Sequence, residues 1–382
     1  MKIAFITLGF EPVVYSGLDV SGSRLINKLI ENGHHVTVIS GVKEPIIESI
    51  ENPLLEIHRI PIGISDWIGF SYRAARLLES LNKYHNFDVV HFWDIHFAYA
   101  YSGKFIGSLH QSFRQRIKSL NWKMSNPLSL FYKLSYYFLA IGLAEKPAIH
   151  KSSGLLAVSA TTRDEFIRNY DIQPSKIVLA RHGIDTIFFK KNDNTISLRS
   201  ALGISAGELV IMFTGFITPR KGLEFLAEAF SMIEPSPHLI IGGKWRDNKY
   251  REKIFKIFGS KSSKVIEPGY IPINLLPTYY SMADVYVSPS LLEGFGLPLA
   301  EVLACETPVV ATDAGSSAEV VGPGGILVPP RNPKALADAI SYLLNNNSLR
   351  HELGKKGRDY IVNNFSLQTM VKSVLDAYKY FK

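Results

Sequence analysis

Short apolar runs alternate with amphipathic helical stretches along almost the whole chain, and that alternation leaves few architectures open. In the first half Lys2–Leu8 and His35–Ser40 read as strands, separated by a helical stretch Ser21–Asn32 that closes at Gly33. Phe87–Phe92, Lys104–Leu109 and Gly154–Val158 continue the series, with helices expected over Tyr72–Tyr84 and Ser129–Ala144. The second half repeats it, with strands at Leu209–Gly215, His238–Ile241, Lys264–Ile266, Val285–Ser288, Pro308–Ala311 and Gly325–Val328. Its helices fall at Leu223–Met232, Leu275–Ala283, Pro298–Ala304 and Pro333–Leu344. Strands joined through helices lie parallel, so each half predicts a doubly wound α/β sheet with helices on both faces. A length of 382 residues suits two such domains. The polar stretch Lys190–Ser197 marks the boundary, giving domains 1–190 and 191–365 and a last helix 366–382 expected to cross back to the first domain. Two halves of this kind imply a cleft, with ligands at the carboxyl ends of the strands.

Composition removes other classes. A hydrophobic fraction of 46 % with 20 % charged residues builds sizeable cores and excludes a largely disordered chain. The single cysteine, Cys305, allows neither an intrachain disulfide nor a thiolate cluster; it reads as a small apolar core residue and suits a reducing cytoplasm. The apolar run Ile3–Phe10 is short and meets Glu11-Pro12 without a small-residue cleavage site, so it reads as a first strand rather than a signal peptide. No apolar run reaches the roughly 18 residues of a membrane span; the nearest, Leu128–Ala144, is broken by Lys133 and serines. Between Asp94 and Asp164 stand nine basic residues and one acidic one, Glu145, so this interval alone equals the chain's net charge of +8. A block of one sign points to an anionic partner or to a solvated basic face.

The segment Ser288–Glu301 carries the chemistry. A strand ends at Ser288, a glycine-bearing turn follows, and Pro298 sits where a helix starts. The amides of Gly294, Phe295, Gly296 and Leu297 then point outward at the positive end of the helix, an anion site. Glu293 and Glu301 flank it. Carboxylates would repel a phosphate, so they face other groups, and sugar hydroxyls are suitable donors. Spacing alone leaves open a structural turn with a capping glutamate.

A Glu, seven residues and a second Glu, with Gly-Phe-Gly between, resembles the donor motif of glycosyltransferase family 4, retaining enzymes of the GT-B fold. Further matches run along the chain: Ser16-Gly17 and Gly33-His34, Asp88–Asp94, Leu109-His110, Val158-Ser159, His182–Asp185 with Phe189, Lys221-Gly222, Gly315–Glu319 and Leu327–Pro330. The resemblance implies two Rossmann-like domains facing a central cleft and a nucleotide-diphosphate sugar as co-substrate, with no further cofactor. It implies that Glu301 holds the ribose and Glu293 the transferred sugar, with the Gly294–Leu297 amides on sugar and phosphate. Lys221 would neutralise the diphosphate, Gly17 close over it, His110 approach the sugar, and backbone near Tyr270 and Ile271 hold the base.

Two departures stand out. Relatives carry Gly-Arg where this chain has Gly215-Phe216, and Arg220 is the candidate replacement cation. His182 stands where relatives prefer Asn, a difference expected to leave the catalytic set untouched. No Asp-x-Asp occurs, and His91 and His96 lack a third ligand, so no metal is expected. The expected activity is hexosyl transfer with retention to a hydroxyl acceptor, catalysed by His110, Glu293 and Lys221. The alternatives are a sucrose- or trehalose-type synthase or phosphorylase, or a silent donor-binding subunit. Arg114, Arg116, Lys118 and Lys123 beside Trp122 and the aromatic helix suggest an anionic membrane surface and a lipid-linked or membrane-proximal glycan. Cytoplasmic placement at the inner face of a membrane follows; no nucleic-acid module is recognisable.

Overall fold

The computed structural model of the protein describes residues 1–44, 46, 51–63, 67–120 and 127–382. The chain divides into two compact units: Met1–Ile117 with Tyr132–Gly183 and Leu367–Lys382, and Lys118–Phe131 with Ile184–Ser366.

The first unit holds β1 (Lys2–Thr7), β2 (His35–Val42), β3 (Leu55–Pro61), β4 (Val89–Phe92), β5 (Ile106–Leu109), β6 (Gly154–Ala157) and β7 (Ile177–Leu179). They form one parallel sheet in the order β3-β2-β1-β4-β5-β6-β7. Alternate residues of β1 serve different cores, because side chains of a strand alternate between faces. Ile3 and Phe5 pack with Leu25, Ile26 and Leu29, whereas Ala4 and Ile6 pack with Phe70, Ala74 and Leu78. The second unit holds β8 (Val210–Thr214), β9 (His238–Gly242), β10 (Val265–Gly269), β11 (Val285–Ser288), β12 (Val309–Thr312) and β13 (Gly325–Val328). Its parallel order is β10-β9-β8-β11-β12-β13, so the direction of winding reverses between β8 and β11.

Two strands escape a sequence reading. β3, at one sheet edge, interleaves Glu56, His58 and Arg59 with its apolar residues, and β7, at the other, is apolar but only three residues long. The first helix begins at Gly17 rather than Ser21, because the Ser16 side chain accepts from the Asp19 amide and caps it. The polar stretch expected to link the domains is bound into the second unit. Asn192 donates from its backbone to Ser281 Oγ at 2.9 Å and from its amide to Thr278 Oγ1 at 2.8 Å. The units part at Gly183–Ile184 and Ser366–Leu367, and also at Ile117–Lys118 and Phe131–Tyr132. The last helix, Leu367–Phe381, buries Met370, Val371, Val374, Ala377 and Tyr378 in the first unit's core.

Buried histidines give the first unit a distinctive pH response. His91 is fully enclosed, its two ring nitrogens 2.7 Å from Tyr378 Oη and Ser108 Oγ, and burial pulls its pKa down to about 3. Below the ordinary histidine pKa the unfolded chain gains a proton that the folded His91 refuses, so stability declines as pH falls from about 6.5, by about 2 kcal/mol at pH 5. His96 behaves oppositely. Burial alone would lower it, but the carboxylates of Asp94 and Glu145, 2.5 and 3.0 Å away, raise it to about 9. Its contribution is complete below about 6.5 and is lost as pH rises through about 9. Urea unfolding should therefore show maximal stability near neutrality. His91→Gln should flatten the acid limb and His96→Gln the alkaline one; limbs unchanged in both variants would contradict these assignments.

Candidate active site

In open α/β sheets the crevice for a ligand lies beyond the strand ends where winding reverses, which in the second unit means β8 and β11. Beyond β8 the chain makes a tight turn, Pro219–Lys221, before the helix Leu223–Ser231; beyond β11 it runs to the helix Leu297–Ala304. The two loops are tied directly. Leu291 N donates to Arg220 O at 2.8 Å, and Arg220 Nη1 donates to Leu292 O at 2.5 Å. Gly222 adopts φ +66° between them, and a Cβ there would lie 2.1 Å from Pro289 O. On the far side Gly315, at φ +66°, leaves no room for a side chain, since a Cβ would meet Glu293 O at 2.0 Å. Ser316 then holds that carbonyl through its amide at 3.1 Å and its hydroxyl at 3.2 Å. Lys221 and Glu293 are thus fixed from both sides.

Their side chains meet. Lys221 Nζ donates to Glu293 Oε1 at 2.6 Å, with only 12 % and 8 % of the two side chains exposed. Burial acts to raise the Glu293 pKa, but the Lys221 and Arg220 charges overrule it and hold the carboxyl below its usual range. Glu293 is therefore an ionised acceptor at neutral pH, with Lys221 as its counter-charge.

The turn Gly294–Gly296 follows, and Gly296 caps the helix Leu297–Ala304 from φ +94° without a side-chain cap bond. Pro298 lies in the first turn, and Phe295 anchors the turn against Phe365, ring centroids 5.5 Å apart. Glu301 lies on the same helix, buried, with the Tyr280 hydroxyl 3.4 Å from Oε2. Beneath it Thr214 Oγ1 reaches Tyr280 Oη at 3.3 Å and Tyr286 Oη at 3.0 Å. These three hydroxyls escaped the sequence reading, since nothing in their spacing marks them. At the end of β10 Ile271 is buried, its side chain over Gly242, while Tyr270 is exposed. Phe216, in the place of the family's arginine, is also exposed.

The first unit places His110 at the end of β5. Its Nε2 lies 2.5 Å from Trp93 O; a carbonyl only accepts, so Nε2 carries the proton. Burial pulls the ring's pKa to about 4, so Nδ1 is an acceptor at neutral pH and takes the bond from His182 Nε2 at 3.2 Å. His182 Nδ1 in turn accepts from Ser21 Oγ at 2.7 Å. The two rings stack with centroids 5.1 Å apart. His182, which stands where relatives prefer Asn, is thus in direct contact with His110. Gly17, in the same unit, is the exposed first residue of its helix. Nearby Asp19 is buried and accepts from Gly9 N, Tyr15 N and Ser16 Oγ, an anchor for the loop that the sequence did not flag.

The basic interval is more one-sided than its composition. Its only acid, Glu145, is fully buried, accepting from the His96 ring, the Phe113 amide and the Tyr170 hydroxyl. Arg114, Arg116 and Lys118 occupy the short helix Phe113–Lys118, with the Arg114 guanidinium 5.5 Å from the Tyr170 ring and that of Arg116 5.2 Å from the Phe113 ring. Trp122 and Lys123 lie outside the described residues.

Two doubly wound parallel units are the fold of the GT-B glycosyltransferases. The chain belongs to the family 4 type of these enzymes: the model described as Glycosyltransferase Family 4 matches residues 15–188, and that described as Glycosyl transferases group 1 matches residues 194–360. An uncharacterized glycosyltransferase of Methanocaldococcus jannaschii is 26 % identical over 99 % of this chain and 98 % of its own length. The alpha-maltose-1-phosphate synthase of Mycolicibacterium smegmatis is 24 % identical over 99 % of each chain. Among solved structures, sucrose-phosphate synthase of Thermosynechococcus elongatus matches with a TM-score of 0.79 at 20 % identity, over 99 % of this chain and 98 % of that one.

Proposed function

We propose that the protein transfers a hexose from a nucleotide-diphosphate sugar to a hydroxyl acceptor with retention, giving an α-linked product. The observation that carries this reading is the buried Lys221–Glu293 pair beside the amides that open the helix Leu297–Ala304. A diphosphate bears more negative charge than one carboxylate and competes for Lys221. Its arrival frees Glu293 to accept from hydroxyls of the sugar, while Glu301 accepts from the ribose. As the sugar–phosphate bond breaks, charge grows on the leaving oxygens, and Lys221 with the Gly294–Leu297 amides stabilises it. The leaving phosphate helps to deprotonate the acceptor on the face it vacates, which accounts for retention without a metal ion or a carboxylate nucleophile. His110 is neutral at pH 7 and holds its one ring proton on Trp93 O, so its part is to shape the site rather than to move a proton.

The proposed acceptor is a lipid-linked or membrane-proximal glycan at the inner face of a membrane, a reading favoured by a basic interval whose only acid is buried. A phosphorylated soluble acceptor is the second reading, favoured by likeness to proteins named as a maltose-1-phosphate synthase and a sucrose-phosphate synthase. Thermal unfolding in the presence of UDP-, GDP- and ADP-sugars tests the donor. The correct one, at 100 times its dissociation constant, stabilises by about 2.7 kcal/mol. No shift with any of them would remove the donor reading, and a β-linked product from an α-linked donor would remove retention.

A further inference from the structure

The helix Pro127–Ala140 continues through the turn Ile141–Glu145 into the helix Lys146–Lys151. Its inner side is settled: Ala140 and Ala144 are buried, and the rings of Tyr136 and Tyr137 meet Phe113 with centroids 6.1 and 5.6 Å away. Its outer side is apolar. Leu128, Phe131, Tyr132, Phe138, Leu139 and Leu143 are between 61 % and 79 % exposed, and their three- and four-residue steps, bridged by the small Ser135, form one stripe along the helix. A contiguous exposed face of this kind marks an interaction surface.

Charge identifies the occupant. The stripe has no acidic residue, and the only carboxylate of the surrounding interval, Glu145, is turned inward and consumed by His96, Phe113 and Tyr170. Lys133 and Lys146 border the stripe in sequence, and Phe113, on which the helix rests, begins the short helix bearing Arg114, Arg116 and Lys118. A second copy of this chain would bring the same cations against these. An anionic bilayer satisfies both halves, taking the leucines and aromatic rings at the headgroup–acyl boundary and the cations at the phosphates. No helix among the described residues is long and apolar enough to cross a membrane.

We propose that the outer face of residues 128–143 lies in the surface of an anionic lipid bilayer as an in-plane anchor. The proposal rests on the membrane-proximal reading of the acceptor and extends it to a segment outside the donor site. Binding is measured apart from transfer, so either idea can fail alone. The test is co-sedimentation with phosphatidylcholine vesicles, with and without phosphatidylglycerol, at low and high salt. The wild-type chain should bind the anionic vesicles more tightly. Phe131→Ser/Phe138→Ser/Leu139→Ser should lower that binding about a hundredfold at both salt levels, with donor-induced thermal shift and circular dichroism unchanged. Arg114→Ser/Arg116→Ser/Lys118→Ser should lose the preference for anionic lipid and its salt sensitivity. Equal binding by wild type and the apolar triple variant, or none by either, overturns the anchor. A wild-type dimer that the apolar triple variant converts to monomer assigns the face to a second copy and overturns it as well.

Discussion

Lys221→Ala should lower turnover by about 10²–10³-fold, the usual consequence of removing one fixed group that stabilises charge on a leaving oxygen. The same change strands Glu293, which is almost fully enclosed and ionised only because Lys221 and Arg220 hold it so. Leaving one half of a buried ion pair costs about 3–5 kcal/mol of stability, so loss of activity alone would be ambiguous. Lys221→Ala/Glu293→Gln separates the two effects, because the neutral amide tolerates burial better than the carboxylate. Stability should largely return in the double variant, while its turnover should stay well below that of Glu293→Gln alone, which carries the same loss at the sugar. Wild-type turnover in Lys221→Ala, or turnover rescued along with stability, would show that the lysine serves the fold alone. Arg220→Ala should be milder, since its guanidinium is engaged on Leu292 O. If Arg220 supplies the cation missing at Phe216, the two single variants will be equally impaired.

Glu301→Ala should weaken donor binding by about ten- to a hundredfold, the loss of hydrogen bonds to a charged acceptor worth about 1.5–3 kcal/mol. The fold should persist, because the Tyr280 hydroxyl that reaches Glu301 also lies 3.3 Å from Thr214 Oγ1 and keeps a partner. Glu301→Gln retains an acceptor oxygen and should lie between wild type and alanine. Calorimetry showing unchanged donor affinity in Glu301→Ala would separate this carboxylate from the ribose.

The second unit's strands are all visible in its sequence: β8, β9, β11 and β12 are buried throughout and read as apolar runs, and the partly exposed β10 and β13 still carry short apolar runs. The edge strand β3 is half open to solvent and mixes charged with apolar residues, and the edge strand β7 is too short for its apolar run to stand out. The site is legible in the same uneven way. Glu293, Gly296 and Glu301 sit close together in sequence and announce themselves through spacing. The Lys221–Glu293 and His110–His182 contacts each join residues 72 positions apart, and no single sequence shows which of many distant side chains will meet. Glu145 is the clearest case of composition misleading. It looks like a minor dilution of a basic stretch, yet its burial leaves that stretch with no surface carboxylate of its own.

The first unit's core includes Met370, Val371, Val374, Ala377 and Tyr378, and Tyr378 also satisfies the enclosed His91. Those residues leave the ribosome only after the whole of Ile184–Ser366, the continuous body of the second unit, has been made. During synthesis the order of completion is therefore reversed relative to the order of translation. The later unit has every strand of its sheet in hand while the earlier one still waits, its His91 without the Tyr378 hydroxyl, for the helix Leu367–Phe381 to arrive.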